Sequence, residues 1–139
     1  MRATGKKRKK LLTALTVYHT VCAIRYMASS IEQHDDLLGQ LRLELRRGCL
    51  TMAVLAQLRS EQYGYTLRKA LEERGLAMDE STLYPLLRRL ESQGLLVSEW
   101  REENKRNKRF YRLSPEGKVL LKQLLAEWES INLSLKQLI

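Results

Sequence analysis

The feature that most constrains this chain is a change in the spacing of its apolar residues at Gly94. Over residues 80–94 the leucines recur at helical spacing, which places them on one face of a helix. These leucines are Leu83, Leu86, Leu87 and Leu90. Residues 95–101 and 108–113 are rich in β-branched and aromatic residues, and the polar linker EENKRN separates them. The sequence therefore predicts a helix followed by a β-hairpin.

Helical spacing of apolar residues is also found on both sides of this unit. It indicates two short amphipathic helices at 37–45 and 50–58, separated near Gly48. Residues 114–139 begin with a Ser-Pro pair, which is typical of a helix cap and the first helical turn. We therefore expect a mainly α fold with a small β-hairpin. A chain of 139 residues has room for one hydrophobic core.

A helix-turn-helix pair precedes the predicted hairpin. A turn at 62–64 leads into a helix over Tyr65–Arg74, and Gly75 ends this helix as a residue with left-handed backbone. Asp79 is a suitable N-cap for the next helix, residues 80–94. Two helices joined by a short turn and followed by a hairpin form a winged helix-turn-helix.

This arrangement presents the chemistry needed to bind DNA. A major groove about 12 Å wide admits one helix, whose polar side chains then reach base edges. The candidates for the base edges and the groove are Ser81, Thr82, Tyr84, Arg88 and Arg89. The hairpin region 101–112 contains six basic and two acidic residues, whereas residues 27–139 as a whole are nearly neutral. The candidates for phosphate contacts are Lys105, Arg106, Lys108 and Arg109.

The residues that enzymes and metal sites require are scarce in this sequence. The chain has two histidines, His19 and His34, and both precede the predicted core. No glycine-rich phosphate loop or nucleophile elbow is present. The pair His19 and Cys22 lacks a second pair of ligands at metal spacing. We therefore expect a binding protein, with no enzymatic activity, no cofactor and no metal site.

The first residues of the chain differ in composition from the rest. Residues 1–26 contain seven basic residues and no acidic one, and a mildly apolar stretch follows the basic run. One interpretation is a flexible basic arm that adds affinity for phosphates. Another is that translation begins at Met27 and that the upstream residues are a disordered or untranslated extension. A third takes the segment as a signal for export or membrane association, although the stretch is too short and polar to span a bilayer.

The last predicted helix has apolar residues at steps of three and four, the spacing of a coiled-coil seam. We call this set the C-terminal stripe: Leu121, Leu124, Trp128, Ile131, Leu135 and Leu138. A stripe of this kind predicts a homodimer, since burial against a second copy removes it from water. The alternative is that it packs only within its own subunit. Trp128 lies in its middle, which suggests either a cleft for a flat aromatic effector or a simple interface anchor.

Three sequence blocks resemble the PadR family of winged-helix transcriptional regulators. These blocks are YGYTLRKALEERG, DESTLYPLLRRLESQGLLVSEW and KRFYRLSPEGK, and the resemblance covers roughly residues 45–139. It implies a cytoplasmic homodimeric repressor that binds a double-stranded DNA operator with two-fold symmetry, often under control of a small molecule. It also implies that the single C-terminal helix is the dimerisation helix.

We therefore divide the chain into an N-terminal extension (1–34), a winged helix-turn-helix domain (35–113) and a C-terminal dimerisation helix (114–139). The predicted function is that of a sequence-specific DNA-binding transcriptional regulator, a homodimeric repressor that responds to a small-molecule effector, without a membrane partner. The alternative function is a winged-helix module that binds another protein and not DNA.

Overall fold

The computed structural model describes residues 4–139, and its described part contains four helices and one three-stranded antiparallel sheet. In chain order the elements are α1 (Thr4–Gln57), β1 (Gln62–Tyr63), α2 (Gly64–Glu73), α3 (Glu80–Ser92), β2 (Leu96–Glu103), β3 (Arg106–Leu113) and α4 (Pro115–Leu138). The strands lie in the order β1-β3-β2. This confirms a mainly α fold with a winged helix-turn-helix. Contacts divide the chain into two units, the first ending at Leu45 and the second comprising Arg46–Ile139.

The first helix is continuous, so the prediction of two short helices separated near Gly48 was wrong. It extends over 54 residues, from Thr4 to Gln57. A glycine inside a helix costs only about 0.5–1 kcal/mol relative to alanine, which does not break a helix whose other residues favour it. No helix in the described part of the chain is both long and apolar enough to cross a bilayer.

The predicted phosphate affinity of the N-terminal basic run is outside what this structure describes. Arg2 precedes the described residues, and the side chains of residues 6–10 also lie outside the described part. From Leu15 to Leu45 the side chains of α1 are almost all exposed within one chain.

The core of the second unit is built from one apolar face of each helix and from the inner face of the sheet. Leu55 comes from the end of α1, Leu58 directly follows this helix, and Leu121 comes from α4. The other buried residues of this core are Val54, Leu67, Leu71, Met78, Leu83, Leu87, Leu90, Leu96, Tyr111 and Leu113. The apolar face predicted for α3 is therefore confirmed, with Leu86 partly buried at its edge.

Both helices of the helix-turn-helix pair end in the same way. Gly75 has a φ of +74°, as predicted, and its N–H donates to the carbonyl of Glu72 at 2.9 Å. The next N–H, that of Leu76, returns to the carbonyl of Leu71 at 2.9 Å. Helix α3 ends in the same way at Gly94. These bonds satisfy the last carbonyls of each helix and fix the direction in which the chain leaves it.

The hairpin is longer and its loop shorter than the sequence predicted. The strands β2 and β3 pair in register up to Glu103 and Arg106, so the linker expected to be a loop is mostly strand. Asn104 and Lys105 form the turn, with φ values of 53° and 61°. Two successive positive φ values match a type I′ turn, whose twist suits a hairpin. The hairpin Leu96–Leu113 is called the wing below.

The third strand was not predicted. Residues expected to form a turn, Gln62 and Tyr63, pair with Tyr111 and Phe110 of the wing. Two residues are too few to show an alternating pattern in sequence, so only the partner strand defines them as β. This pairing anchors the wing to the start of α2.

Helix α4 begins as predicted, and its first turn lies directly against the wing. The Ser114 hydroxyl accepts a hydrogen bond from the N–H of Gly117 at 2.9 Å. Gly117 is buried, and a Cβ at this position would lie 2.1 Å from the carbonyl oxygen of Leu95. The close approach of α4 to the backbone just before β2 therefore requires a glycine.

We expect Gly117→Ala to lower the free energy of unfolding by about 1–3 kcal/mol, because the new methyl group forces two backbone segments apart. Urea unfolding followed by circular dichroism measures this change. Gly48→Ala is the matched control, since Gly48 lies in a helix with nothing within 4 Å of the added Cβ. That variant should gain about 0.5–1 kcal/mol. Equal stability of Gly117→Ala and the parent would show that the contact with Leu95 has no steric cost.

Candidate nucleic-acid interface

One face of α3 is polar and free of contacts with the core. The five sequence-predicted groove residues, Ser81, Thr82, Tyr84, Arg88 and Arg89, are all exposed. Opposite them, Leu83, Leu87 and Leu90 are buried and hold the helix on the core. Asp79 is the N-cap by position, although its side chain makes no capping hydrogen bond; its carbonyl accepts from the N–H of Leu83 at 2.9 Å. The structure thus presents the polar face of α3 to solvent along its whole length.

Tyr84 is held against the start of α2. A Cβ at Gly64 would lie 2.5 Å from the Tyr84 hydroxyl oxygen and 2.9 Å from its ring carbons. The glycine therefore makes room for the ring, which lies against the backbone of α2. Tyr84 accordingly fixes the spacing between the two helices and also contributes to the exposed face of α3.

The tip of the wing presents two cations that are not neutralised. Lys105 lies in the turn and Arg106 begins β3, and both are exposed. Neither forms an ion pair with any residue that the structure describes. Two adjacent free cations at the end of a protruding hairpin suit contact with a phosphate backbone.

Lys108 is close to the tip but has partners within the chain. Its ammonium group donates to the Glu103 carboxylate at 3.1 Å and lies 4.4 Å from the centroid of the Tyr63 ring. The hydrogen bond to Glu103 raises the pKa of Lys108, with burial acting against it. Part of its charge is therefore balanced before any phosphate approaches.

Arg109 is engaged more fully, in a link between the wing and the end of α3. Its Nη2 donates to Glu91 at 2.8 Å, and its Nε donates to the Ser98 hydroxyl at 2.9 Å. The Ser98 hydroxyl also donates to Glu91. These three side chains come from β3, α3 and β2, and we call them the Arg109 link. Sequence reasoning missed Glu91 and Ser98 because the contact depends on tertiary structure.

Arg101 is also paired, and it lies on the face of the sheet opposite to Arg109, beside its cross-strand partner Lys108. It forms an ion pair with Glu61, and its guanidinium lies 4.2 Å from the centroid of the Phe110 ring. The hydrogen bond that Arg101 donates to Glu61 raises the pKa of Arg101. Phe110 meets Tyr63 edge to face at 5.5 Å. This face of the wing thus brings aromatic rings into contact with paired charges.

The C-terminal stripe divides into a buried end and an exposed remainder. Leu121 is 2% exposed and belongs to the core of its own subunit, so it has almost no surface left for a partner. The other five residues of the stripe are exposed in one chain: Leu124, Trp128, Ile131, Leu135 and Leu138. The structure therefore separates the anchoring of α4 on the core from the apolar surface that follows it.

Comparison with known proteins gives a consistent family. Residues 52–123 match the family described as Transcriptional regulator PadR-like family. A transcriptional regulator of Mycobacterium tuberculosis is 44% identical over 62 residues, which cover 45% of this chain and 58% of that protein. The match thus spans little more than half of that regulator.

Solved structures resemble a larger part of the chain. The crystal structure of a PadR family transcriptional regulator from Eggerthella lenta superposes with a TM-score of 0.70 and 45% identity, covering 76% of this chain and 94% of that one. A transcriptional regulator from Clostridium thermocellum gives a TM-score of 0.62 and 29% identity, covering 69% and 98% of the two chains.

Proposed function

Because the chain belongs to the PadR-like family of transcriptional regulators, we propose that it binds double-stranded DNA as a homodimer. In this proposal α3 enters the major groove and the wing lies on the flanking phosphates. The proposal rests on one observation above all: the exposed polar face of α3 and the unpaired cations of the wing tip lie in the same compact unit. Two such units, related by two-fold symmetry, would read a two-fold symmetric operator.

The exposed side chains divide into two roles. Arg88 and Arg89 have the planar donor groups that recognise guanine edges, and Ser81, Thr82 and Tyr84 lie on the same exposed face. Lys105 and Arg106 are the phosphate contacts, which set affinity without reading sequence. Lys108 contributes less, since Glu103 balances its charge. We assign Arg109 to positioning of the wing, because its guanidinium already donates to Glu91 and Ser98.

The exposed part of the C-terminal stripe supports the dimer. Trp128 and Ile131 are large apolar side chains in contact with water in the single chain, and a second copy of α4 would cover them. The spacing of the stripe suits such a contact between helices. A small-molecule effector that binds beside Trp128 would then change the distance between the two α3 helices, and with it the fit to DNA.

Repression follows from the size of the complex. A dimer on its operator covers successive major grooves of the promoter and excludes polymerase from the same DNA in the cytoplasm. Selection of bound fragments from random genomic DNA by the full chain tests this. We expect a two-fold symmetric motif. Enrichment of no motif, together with capture of no duplex at low salt, would favour the alternative function of binding another protein.

Replacing Lys105 or Arg106 with alanine should weaken binding to all duplexes alike. Each lost phosphate contact flattens the plot of log K against log salt by about 0.9, and a homodimer loses each contact twice, so each variant should lower the slope by about 1.8. Fluorescence anisotropy at several salt concentrations measures the slope. Lys136→Ala, at the far end of α4, is the control and should keep the parent slope. A loss confined to the selected motif would contradict the assignment to phosphates.

A further inference from the structure

A cleft of about 390 Å³ lies between α3, the start of α2 and one face of the wing. Side chains from all three elements line it, among them Tyr63, Tyr84, Arg88, Trp100, Asn107 and Tyr111. Pockets that bind small molecules start at about 300 Å³ and combine apolar walls with a few polar groups. The cleft thus has the size and the composition of a small ligand site, and it opens on the surface that we assign to DNA.

The most buried of these side chains provides an unused hydrogen-bond donor. Tyr111 is only 4% exposed. No described residue forms a hydrogen bond with its hydroxyl, and this oxygen is not among the fully buried unpaired side-chain atoms, so it is accessible from the cleft that Tyr111 lines. Burial raises the pKa of this hydroxyl, with Arg109 opposing, so it stays protonated at neutral pH. A ligand in the cleft would therefore meet a free O–H donor.

The cleft also contains one cation whose charge is not balanced. Glu103 pairs with Lys108 and Glu91 pairs with Arg109, so both of these cations are neutralised. Arg88 forms no ion pair with any residue in the described part of the chain. An anionic group on a ligand would be attracted to its guanidinium, which donates to two oxygens at once.

The walls favour a flat ring. Trp100, one of the two tryptophans in the chain, is 65% exposed. Its indole lines the cleft. Tyr63 and Tyr84 also line it. Aromatic walls of this kind bind planar rings by stacking and by edge contacts. A ring that covers an exposed tryptophan removes apolar surface from water, and this burial favours binding of the ring.

We propose that this cleft binds a flat aromatic anion, with the ring against Trp100 and the anionic group between Arg88 and the Tyr111 hydroxyl. An aromatic carboxylate and a nucleoside monophosphate share this chemistry. The consequence for regulation rests on the proposed function: a bound anion occupies Arg88, and the same ligand therefore competes directly with DNA. This ligand would displace DNA without any rearrangement of the dimer, whereas an effector beside Trp128 would act by changing the dimer.

Calorimetric titration of the full chain tests the binding. The probes are naphthalene carboxylate, the matching uncharged carboxamide, deoxyguanosine monophosphate and inorganic phosphate. We expect binding of one or both of the two aromatic anions, about tenfold or more weaker binding of the carboxamide, and none of phosphate. The two anionic arms distinguish a carboxylate ligand from a nucleotide.

Variants locate the site. Arg88→Gln and Tyr111→Phe should each weaken binding of the aromatic anion by about tenfold or more, since each removes a donor to a charged group. Arg89→Gln is the matched control, because the neighbouring arginine does not line the cleft. A circular dichroism melt checks that Tyr111→Phe stays folded. Arg88 lies on the exposed face of α3, so Arg88→Gln still tests the proposal if the Tyr111→Phe variant unfolds.

Competition separates this proposal from the proposed function. In the Trp128→Phe variant the aromatic anion should still bind and should still displace a fluorescent duplex. No binding of either anion by a protein that binds DNA would overturn the cleft proposal alone. Loss of anion binding in Trp128→Phe but not in Arg88→Gln would also overturn it. Failure to bind any duplex, with the anion still bound, would overturn the proposed function alone.

Discussion

Replacing Arg109 with alanine is expected to lower the affinity for the preferred duplex by about 10- to 100-fold per subunit, and the effect counts twice in a homodimer. The salt dependence of binding should not change. Arg109 and Glu91 are about two-thirds buried, with 33% and 27% of their side chains exposed. Because the link joins the wing to the last turn of α3, its loss frees the wing to move relative to the groove face.

The unchanged salt dependence distinguishes this role from a phosphate contact. The sequence placed Arg109 with Lys105 and Arg106, and a phosphate contact would flatten the salt slope by about 0.9 per site. In the structure its guanidinium already donates to Glu91 and to Ser98. A charge balanced in this way releases few counterions when DNA binds. We therefore expect weaker binding with the parent slope.

A double-mutant cycle measures the link directly. Glu91→Ala should also disorder the wing, but it frees the Arg109 cation and should therefore make the salt slope steeper. The double variant should lose little more affinity than Arg109→Ala alone, since both changes break the same contact. Lys69→Ala, an exposed cation of α2, is the control for a change in net charge. A flatter slope in Arg109→Ala would contradict the positioning role.

The predictions that the structure confirms rest on local patterns. The buried and exposed faces of α3 follow from helical periodicity, which depends only on neighbours in sequence. The ends of α2 and α3 follow from Gly75 and Gly94, since few other residues adopt their backbone conformation. The capped start of α4 at Ser114 is local in the same sense. These elements together suffice to predict the winged fold.

The features that sequence reasoning did not find depend on contacts between distant residues. Strand β1 exists only because β3 pairs with it, and Arg109 meets Glu91 across 18 positions of sequence. A hairpin turn with Lys105 at positive φ has no strong sequence signal, because lysine is not a preferred residue there. For these features the fold selects the conformation, and the sequence near them allows others.

The other large effect is expected in the C-terminal stripe. Ile131 and Leu135 are exposed in the single chain, so replacing both with glutamate should not disturb the core. In a dimer the four added charges would face one another in an apolar contact. We expect monomers at micromolar concentration. DNA affinity should fall by about 10²- to 10⁴-fold, because the second half-site no longer binds at high effective concentration.

A matched variant separates the dimer contact from the charge itself. Leu133 is also exposed on α4, but its spacing places it on the opposite side from the C-terminal stripe. Leu133→Glu should therefore keep the parent mass in sedimentation equilibrium and the parent affinity for the duplex. Thermal melts at several concentrations add a second test, since the stability of a dimer rises with concentration and that of a monomer does not. If the doubly substituted protein sediments as a dimer, the stripe serves another purpose and the two half-sites must be joined through a different surface.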